Sequence, residues 1–169
     1  MMRHLASSDS ESELSVYEPD QVQPNAIDLK VDKIFTIEST KFTISEEQKV
    51  HRGSTELVPD NNGFWHLETG VYEIIMEGEI TIGPNEAGFV ITRSTLNRNG
   101  LFITSGLYDS GYSGVMAGAL HVHCGVAGIQ KGTRVGQFLL FDAESVNQYT
   151  GSYGSGSAHD VKYVGGVTH

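Results

Sequence analysis

The chain has 169 residues, enough for one domain with a substantial hydrophobic core. Its 21 acidic residues against 11 basic ones give a formal net charge of -10, which argues against nonspecific binding to nucleic acid or an anionic membrane. The single cysteine, Cys124, excludes an intrachain disulfide.

Composition divides the chain into three segments. Residues 1–20 are rich in Ser, Glu and Asp, lack the apolar core of a signal peptide, and are expected to be a flexible acidic segment. Residues 21–145 are expected to form the folded domain, and residues 146–169 form a Gly/Ser/Tyr-rich arm or closing segment. No apolar run approaches the roughly 20 residues that span a bilayer, so we expect a cytoplasmic protein or a component of a virion.

Short strand patterns recur along the folded segment, separated by Gly, Asn and Pro. Strands are predicted at residues 26–32, 33–36, 41–44, 64–67, 70–76, 79–82, 87–92, 101–107, 114–123 and 135–141. The polar stretch 45–62 is predicted to be an excursion with few strand features. Many short strands with such punctuation predict an all-β sandwich or jelly-roll-like barrel.

The block RSTLNRNG at residues 93–100 combines two arginines with two hydroxyl side chains. Guanidinium groups offer paired donors to phosphate oxygens, and hydroxyls and backbone N–H groups can bind the remaining oxygens. Arg93, Ser94 and Arg98 are therefore candidate polyphosphate ligands. The alternative is a polar connection whose arginines pair with some of the many carboxylates.

The block GLYDSGYSG at residues 106–114 places Asp109 and Tyr112 in a glycine-flanked, hairpin-like turn. An ionised aspartate held there can accept a proton from water and direct the water oxygen at phosphorus. Tyr112 can stack on a sugar or a base. The alternative is ordinary turn chemistry, in which Asp109 bonds its own backbone.

The block KGTRVGQ at residues 131–137 leads into an apolar strand. Gln137 can offer its amide to a ligand or satisfy the strand edge, whereas Lys131 and Arg134 are expected to be solvated. His121 and His123 share one face of a predicted strand, but no third metal ligand has recognisable spacing. A packing or interface role is favoured for this pair.

These blocks, in this order, resemble the deoxyuridine triphosphatase and deoxycytidine triphosphate deaminase superfamily. Further matching segments are QPNAIDL (23–29), WHLETGVY (65–72), TIGPNEAG (81–88) and YTGSYG (149–154), so that the resemblance covers residues 20–157. The most similar branch is that of the archaeal deoxyuridine triphosphatases that are built like the deaminases.

The resemblance implies a distorted jelly roll that forms a homotrimer with shared active sites. It also implies hydrolysis of dUTP to dUMP and pyrophosphate, with Mg²⁺ carried on the triphosphate. By position, Asp109 would orient the attacking water, Tyr112 would pack on the deoxyribose, and the backbone from Leu107 to Tyr112 would recognise uracil. Asp28 would organise the site or the trimer. The residues that would hold phosphates are Arg93, Ser94, Arg98 and Gln137.

Two features depart from the resemblance. The deaminases use a glutamate on the strand after the Gly-Tyr-x-Gly turn, whereas residues 110–141 contain no Asp or Glu and Ala119 lies near the expected position. This argues against a deaminase. Basic residues are also few around the expected phosphate site and in the arm, where Lys162 is the clear cation. The alternative function is a catalytically silent trimer used as a structural or interaction protein, such as a viral capsid decoration.

Overall fold

The structure, a computed structural model, describes residues 1–164. Nearly all regular structure in this part of the chain is β-strand, and none of its helices is long and apolar enough to cross a membrane. The strands are β1 (Met2–Arg3), β2 (Glu13–Leu14), β3 (Ile27–Ile37), β4 (Thr43–Ile44), β5 (Lys49–Val50), β6 (Ser54–Glu56), β7 (Phe64–Leu67), β8 (Gly70–Thr81), β9 (Glu86–Thr92), β10 (Leu101–Thr104), β11 (Ser113–Val122), β12 (Ala127–Gln130) and β13 (Arg134–Asp142). The helices are α1 (Ser94–Asn97), α2 (Val161–Val164) and a 3-10 turn at Pro19–Gln21.

The strands form one large curled antiparallel sheet and two small ones. The order along the main sheet is β1-β13-β3-β8-β11-β10, with β9 also on β13, β6 on β3 and β2 on β8. The pairs β7–β12 and β4–β5 stand apart. This arrangement confirms the predicted all-β fold. Strand β13 joins distant parts of the chain, because it pairs with both β3 and β9.

The core lies inside the curled sheet and is built mostly from aliphatic side chains, with a few aromatic ones. Burial of each stabilises the fold by about 2 kcal/mol. Residues with at most 1% exposure include Ile27, Leu29, Ile34, Ile74, Ile80, Leu120, Phe138 and Leu140. Gly88 is required by this packing, since a Cβ there would lie 2.5 Å from the Phe138 ring.

Most predicted strands are present, some with changed bounds. The patterns at 70–76 and 79–82 belong to one strand, β8, because Gly78 takes a left-handed conformation (φ 83°) at an irregularity in the β8–β11 pairing and lets the strand continue. Strand β12 was not predicted. Its residues, Ala-Gly-Ile-Gln, carry little strand propensity, and pairing with β7 determines their conformation.

The N-terminal segment lies on the sheet. Strand β1 pairs with β13 and strand β2 with β8, while Leu5 and Leu14 are buried in the core. The expected flexibility of residues 1–20 concerns motion and stays a prediction. The arm predicted at residues 146–169 is described as far as residue 164, and its last five residues lie outside the described part.

Candidate active site

The first candidate group is a buried carboxylate between two arginines. The Asp28 side chain has no solvent exposure, and its Oδ2 lies 3.3 Å from Nε of Arg93 and 3.7 Å from Nη1 of Arg134. Gln137 donates from Nε2 to Oδ1 over 3.0 Å. Oδ2 has no hydrogen-bond partner among the described residues, so the two guanidinium groups supply its charge balance.

Strand pairing explains how these distant sequence blocks meet. Within β13, Gln137 is in register with Asp28 of β3 on one side and with Ile91 of β9 on the other. Arg93 follows the end of β9 directly, and its Nη1 donates to the backbone carbonyl of Arg134 over 3.2 Å. Two of the sequence blocks, 93–100 and 131–137, therefore converge on a carboxylate supplied by the segment 23–29.

Both guanidinium groups of this cluster reach the surface. The side chains of Arg93 and Arg134 are 32% and 34% exposed. The expectation that Arg134 is solvated was therefore incomplete, because it also donates to the Asp20 carbonyl over 2.8 Å. Ser94 and Arg98 lie nearby on and after the short helix α1, and both are exposed. This end of the barrel therefore presents positively charged side chains to solvent.

The second candidate group is the connection between β10 and β11. Pairing of these strands ends at Thr104 and Ala119, and residues 105–112 then form the loop. Asp109 is exposed in its turn, where its carbonyl accepts from the Tyr112 N–H over 3.0 Å. Asp109 forms no side-chain hydrogen bond within the described residues. Its exposed carboxylate can therefore accept a hydrogen bond from a ligand or from water.

Two buried tyrosines attach this loop to β11. Tyr108 and Tyr112 are both buried, with ring centroids 5.2 Å apart. The Tyr108 hydroxyl donates to the Ala117 carbonyl over 3.1 Å, and the Tyr112 hydroxyl donates to the Val115 carbonyl over 2.7 Å. Burial raises the pKa of both phenols, so they stay protonated and act as donors.

A cavity of about 460 Å³ opens beside the loop, within the range of small-ligand sites. Leu107, 58% exposed, lines this cavity and also a neighbouring hollow that contains Asp109. Four segments contribute to the cavity: the region from the end of β3 through the excursion (Phe42, His51, Arg52, Ser54), the loop (Gly106, Leu107, Tyr108, Tyr112), the sheet (Glu73, Val115, Ala117, Gly118) and the arm (Tyr149, Tyr153, His159, Asp160, Lys162, Tyr163).

The arm is attached to the sheet by specific contacts. Lys162 donates from Nζ to both carboxylate oxygens of Glu73, over 3.1 and 3.0 Å, and to Ser54 Oγ over 3.0 Å. The Tyr163 hydroxyl also donates to Glu73, and Tyr163 packs edge-on against Phe35. No role was predicted for Glu73 or Tyr163, because the partners are 90 residues apart and no local pattern links them.

His159 lies between the arm and the excursion. Its ring centroid is 4.5 Å from that of His51 and 5.1 Å from that of Tyr153. Burial lowers the pKa of His159, and the nearby Lys162 and His51 lower it further. The neutral imidazole is therefore the form that suits this packing.

The two candidate groups are separated within one chain. Tyr108 pairs with Gly88 through an isolated bridge, and β9 then carries the backbone roughly 16 Å further to Arg93. No hydrogen bond or ion pair in residues 1–164 joins the side chains of Asp109 or Tyr112 to Arg93, Ser94, Arg98 or Gln137. The predicted site residues thus form two clusters.

A comparison of the sequence with protein families decides the relationship. A family model described as dCTP deaminase-like matches residues 2–143. The chain belongs to the dCTP deaminase-like family. The resemblance drawn from the sequence blocks is thereby confirmed.

Two members of the dCTP deaminase-like family with similar sequences come from archaea. A probable deoxyuridine 5'-triphosphate nucleotidohydrolase of Halobacterium salinarum is 34% identical over 140 residues, which cover 79% of this chain and 83% of the relative. A probable enzyme of the same name from Methanopyrus kandleri is 33% identical over 137 residues, covering 80% and 88%.

Solved structures support the fold of a dCTP deaminase-like protein. A 2'-deoxycytidine 5'-triphosphate deaminase from Agrobacterium tumefaciens matches with a TM-score of 0.60 at 16% identity, over 80% of this chain and 44% of that longer chain. A dUTPase mutant of a Staphylococcus bacteriophage, in complex with dUpNHpp, gives a TM-score of 0.50 at 12% identity, over 88% and 92%. The distorted jelly roll is confirmed on this basis.

This family member departs from the deaminases where the sequence indicated. Ala119 is in register with Glu73 across the β8–β11 ladder, and the Glu73 carboxylate is engaged by Lys162 and Tyr163. His121 and His123 stack with ring centroids 6.0 Å apart, and His121 Nε2 lies 3.2 Å from Thr104 Oγ1. The described residues contain no group of three or more His, Cys, Asp or Glu side chains that could hold a metal ion.

Proposed function

We propose that this chain hydrolyses dUTP to dUMP and pyrophosphate. The observation that carries the proposal is the exposed Asp109 carboxylate, in the turn of a loop that also walls a nucleoside-sized cavity. The similar archaeal proteins are named as probable deoxyuridine triphosphate nucleotidohydrolases, and at 33–34% identity over most of both chains they support the same substrate.

Asp109 is the proposed catalytic residue. Its carboxylate would accept a hydrogen bond from water and direct the oxygen at the α-phosphorus. The P–O bond to the pyrophosphate group breaks as the new P–O bond forms, and the proton leaves through the aspartate. Positioning and charge stabilisation would supply most of the rate enhancement.

The cavity is the proposed site of the nucleoside. The uracil would enter where β10 and β11 separate, meeting backbone groups of Leu107 and its neighbours, and Tyr112 would contact the deoxyribose. The aromatic lining of the cavity favours a planar ligand, because rings stack on rings. The cavity volume of about 460 Å³ leaves room for a nucleoside.

Phosphates are proposed to bind at the arginine end of the barrel. Arg93 and Arg98 would neutralise the triphosphate, and Ser94 would donate its hydroxyl. Gln137 would act through Asp28, since its amide N–H already donates to that carboxylate. The separation of this group from Asp109 within one chain is the reason to propose a homotrimer in which one subunit supplies phosphate ligands to its neighbour's nucleoside.

Magnesium is proposed to arrive on the nucleotide. The ion would be held by phosphate oxygens, where it neutralises charge that builds up as pyrophosphate leaves. This placement fits a chain with a formal net charge of -10, which repels a free tetraanion. The chain's own contribution is the pair of arginines on Asp28 and the exposed Arg98.

The test is incubation of the purified full chain with Mg²⁺ and each deoxynucleoside triphosphate, at low and at molar salt, with pyrophosphate and ammonia measured. Pyrophosphate from dUTP, without ammonia from dCTP, is the expected result. Ammonia from dCTP would establish a deaminase. A lack of turnover with every nucleotide at every salt concentration would instead favour the structural trimer.

A further inference from the structure

The exposed Asp109 lies between two residues that are each bonded to strand β9. On one side, Tyr108 and Gly88 exchange backbone hydrogen bonds of 2.8 and 3.0 Å. On the other side, the Ser110 hydroxyl donates to the backbone carbonyl of Glu86 over 2.6 Å. Because the Asp109 side chain forms no hydrogen bond within the described residues, these two backbone attachments determine where its carboxylate lies.

Ser110 is held by further contacts. It is 5% exposed, and its carbonyl accepts from the Tyr149 N–H over 2.8 Å. The hydroxyls of Ser110 and Ser145 also form a hydrogen bond. Because the single hydroxyl proton of Ser110 goes to Glu86, Ser145 is the donor of this bond. Ser110 thereby joins the turn that contains Asp109 both to β9 and to the start of the arm.

We propose that Ser110 is a positioning residue, whose hydroxyl fixes the backbone beside Asp109 and so directs that carboxylate at the attacking water. The inference rests on the proposed function, because it takes Asp109 as the residue that orients the water. A reacting group must be held to within about 0.5 Å of its productive position. Without the bond from Ser110 to Glu86, the turn is free to shift on its C-terminal side, and a displacement of about 1 Å costs up to a hundredfold in rate.

The first experiment measures steady-state hydrolysis of dUTP by Ser110→Ala. We expect kcat to fall about tenfold, because the carboxylate is less often in its productive position. The KM for dUTP, and binding of its non-hydrolysable imido analogue, should stay within about twofold of wild type, since Ser110 contacts no substrate in this proposal. A wild-type kcat in Ser110→Ala overturns the inference.

Ser12→Ala is the matched control. Ser12 is also 5% exposed and its hydroxyl also donates to Glu86, but to the carboxylate oxygen Oε2 and not to the backbone carbonyl. The same hydroxyl accepts from the Gly83 N–H over 2.9 Å, so Ser12 is bonded to the chain before β9 and not to the Asp109 turn. We expect this variant to lose stability while it keeps the wild-type kcat. Equal falls in kcat for both variants would contradict the inference.

A second experiment separates positioning from a general effect on the fold. If Ser110 acts through the Asp109 carboxylate, its hydroxyl has nothing to position once that carboxylate is gone. Asp109→Asn and the double variant Asp109→Asn/Ser110→Ala should therefore have the same residual rate. A further tenfold fall in the double variant would show that Ser110 acts independently of Asp109, and would refute the positioning role.

Ser110→Cys covers the case in which the alanine variant does not fold. Its thiol occupies the place of the hydroxyl but is a weak donor, so kcat should again fall at an unchanged KM. A wild-type chain that does not hydrolyse dUTP refutes the proposed function and, with it, the inference. A wild-type chain that hydrolyses dUTP and is inactivated by Asp109→Asn, while Ser110→Ala or Ser110→Cys keeps the wild-type kcat, refutes the role of Ser110 alone.

Discussion

The side-chain amide of Gln137 donates a 3.0 Å hydrogen bond to the buried carboxylate of Asp28. A residue expected to hold phosphate is therefore part of the scaffold that orients Arg93 and Arg134. The carboxylate has no exposure, whereas the two arginines are about one-third exposed. The buried Asp28 carboxylate therefore fixes the positions of the two partly exposed guanidinium groups. We call this arrangement of Asp28, Arg93 and Arg134 the clamp.

Replacement of Asp28 tests that scaffold. Asp28→Asn leaves two guanidinium groups without their shared anion, and we expect a loss of roughly 2–3 kcal/mol in the free energy of unfolding, somewhat less than for fully buried pairs. Asp32→Asn is the control on the same strand, since its pair with Lys131 is exposed and should contribute below about 1 kcal/mol. Urea denaturation measures both, and equal losses would contradict the clamp.

Replacement of Asp109 tests the chemistry. Asp109→Asn keeps the turn but cannot take up the proton of water, so we expect pyrophosphate release from dUTP to fall about a thousandfold. Binding of the imido analogue and the mass of the assembly should be unchanged. Glu46→Gln, an exposed acidic residue in the excursion, removes the same charge and serves as control. Full activity of Asp109→Asn would refute the proposed role.

The arm can be displaced by a single methyl group. A Cβ at Gly114 would lie 2.7 Å from Cα of Gly154 and 2.9 Å from the backbone N of Ser155, which donates to Ser113 over 2.7 Å. We expect Gly114→Ala to expose residues 149–164 to limited proteolysis while the barrel remains folded. Gly128→Ala meets only ordinary contacts near 4 Å and should leave the arm protected. Protection in both variants would argue against close packing of the arm.

Arm docking should weaken at acid pH. The folded-state pKa of His159 is lowered, so the released arm binds protons more readily. The stabilisation is complete above about pH 6.5 and is lost as pH falls below that value and through the lowered folded-state pKa. Protonation would oppose His51 and Lys162, while Asp160 and Glu73 partly offset it. Hydrogen exchange of the arm at pH 7.5 and 5.5 measures the effect. His159→Gln should flatten the difference, and an unchanged difference would exclude His159 as its source.

Much of the barrel could be predicted from the sequence. Strand β7 and most of β9, β11 and β13 follow from alternation and turn residues, which are local properties. The short strands β5 and β12 were missed because their conformation depends on a partner strand. The two strands predicted at 70–76 and 79–82 form one strand, β8, because Gly78 adopts a left-handed conformation. The sequence did not reveal that conformation.

The site was predictable in its parts but not in its arrangement. The blocks containing Arg93, Asp109 and Gln137 stood out by residue type, because phosphate chemistry uses few side chains. The bond from Gln137 to Asp28 depends on the register of β13, and the contact of Glu73 with Tyr163 depends on where the arm folds. Neither leaves a local trace in the sequence.

The length of β9 between the Gly88–Tyr108 bridge and Arg93 has a consequence for mixed assemblies. A chain carrying Asp109→Asn and a chain carrying Arg98→Ala are damaged in different halves of the proposed shared site. Co-expressed, they would form some sites in which both halves are intact, and would recover activity that neither chain has alone. Such complementation would make the effect of a defective gene copy depend on the assembly, because in the proposed trimer each subunit would contribute to its neighbour's site as well as to its own.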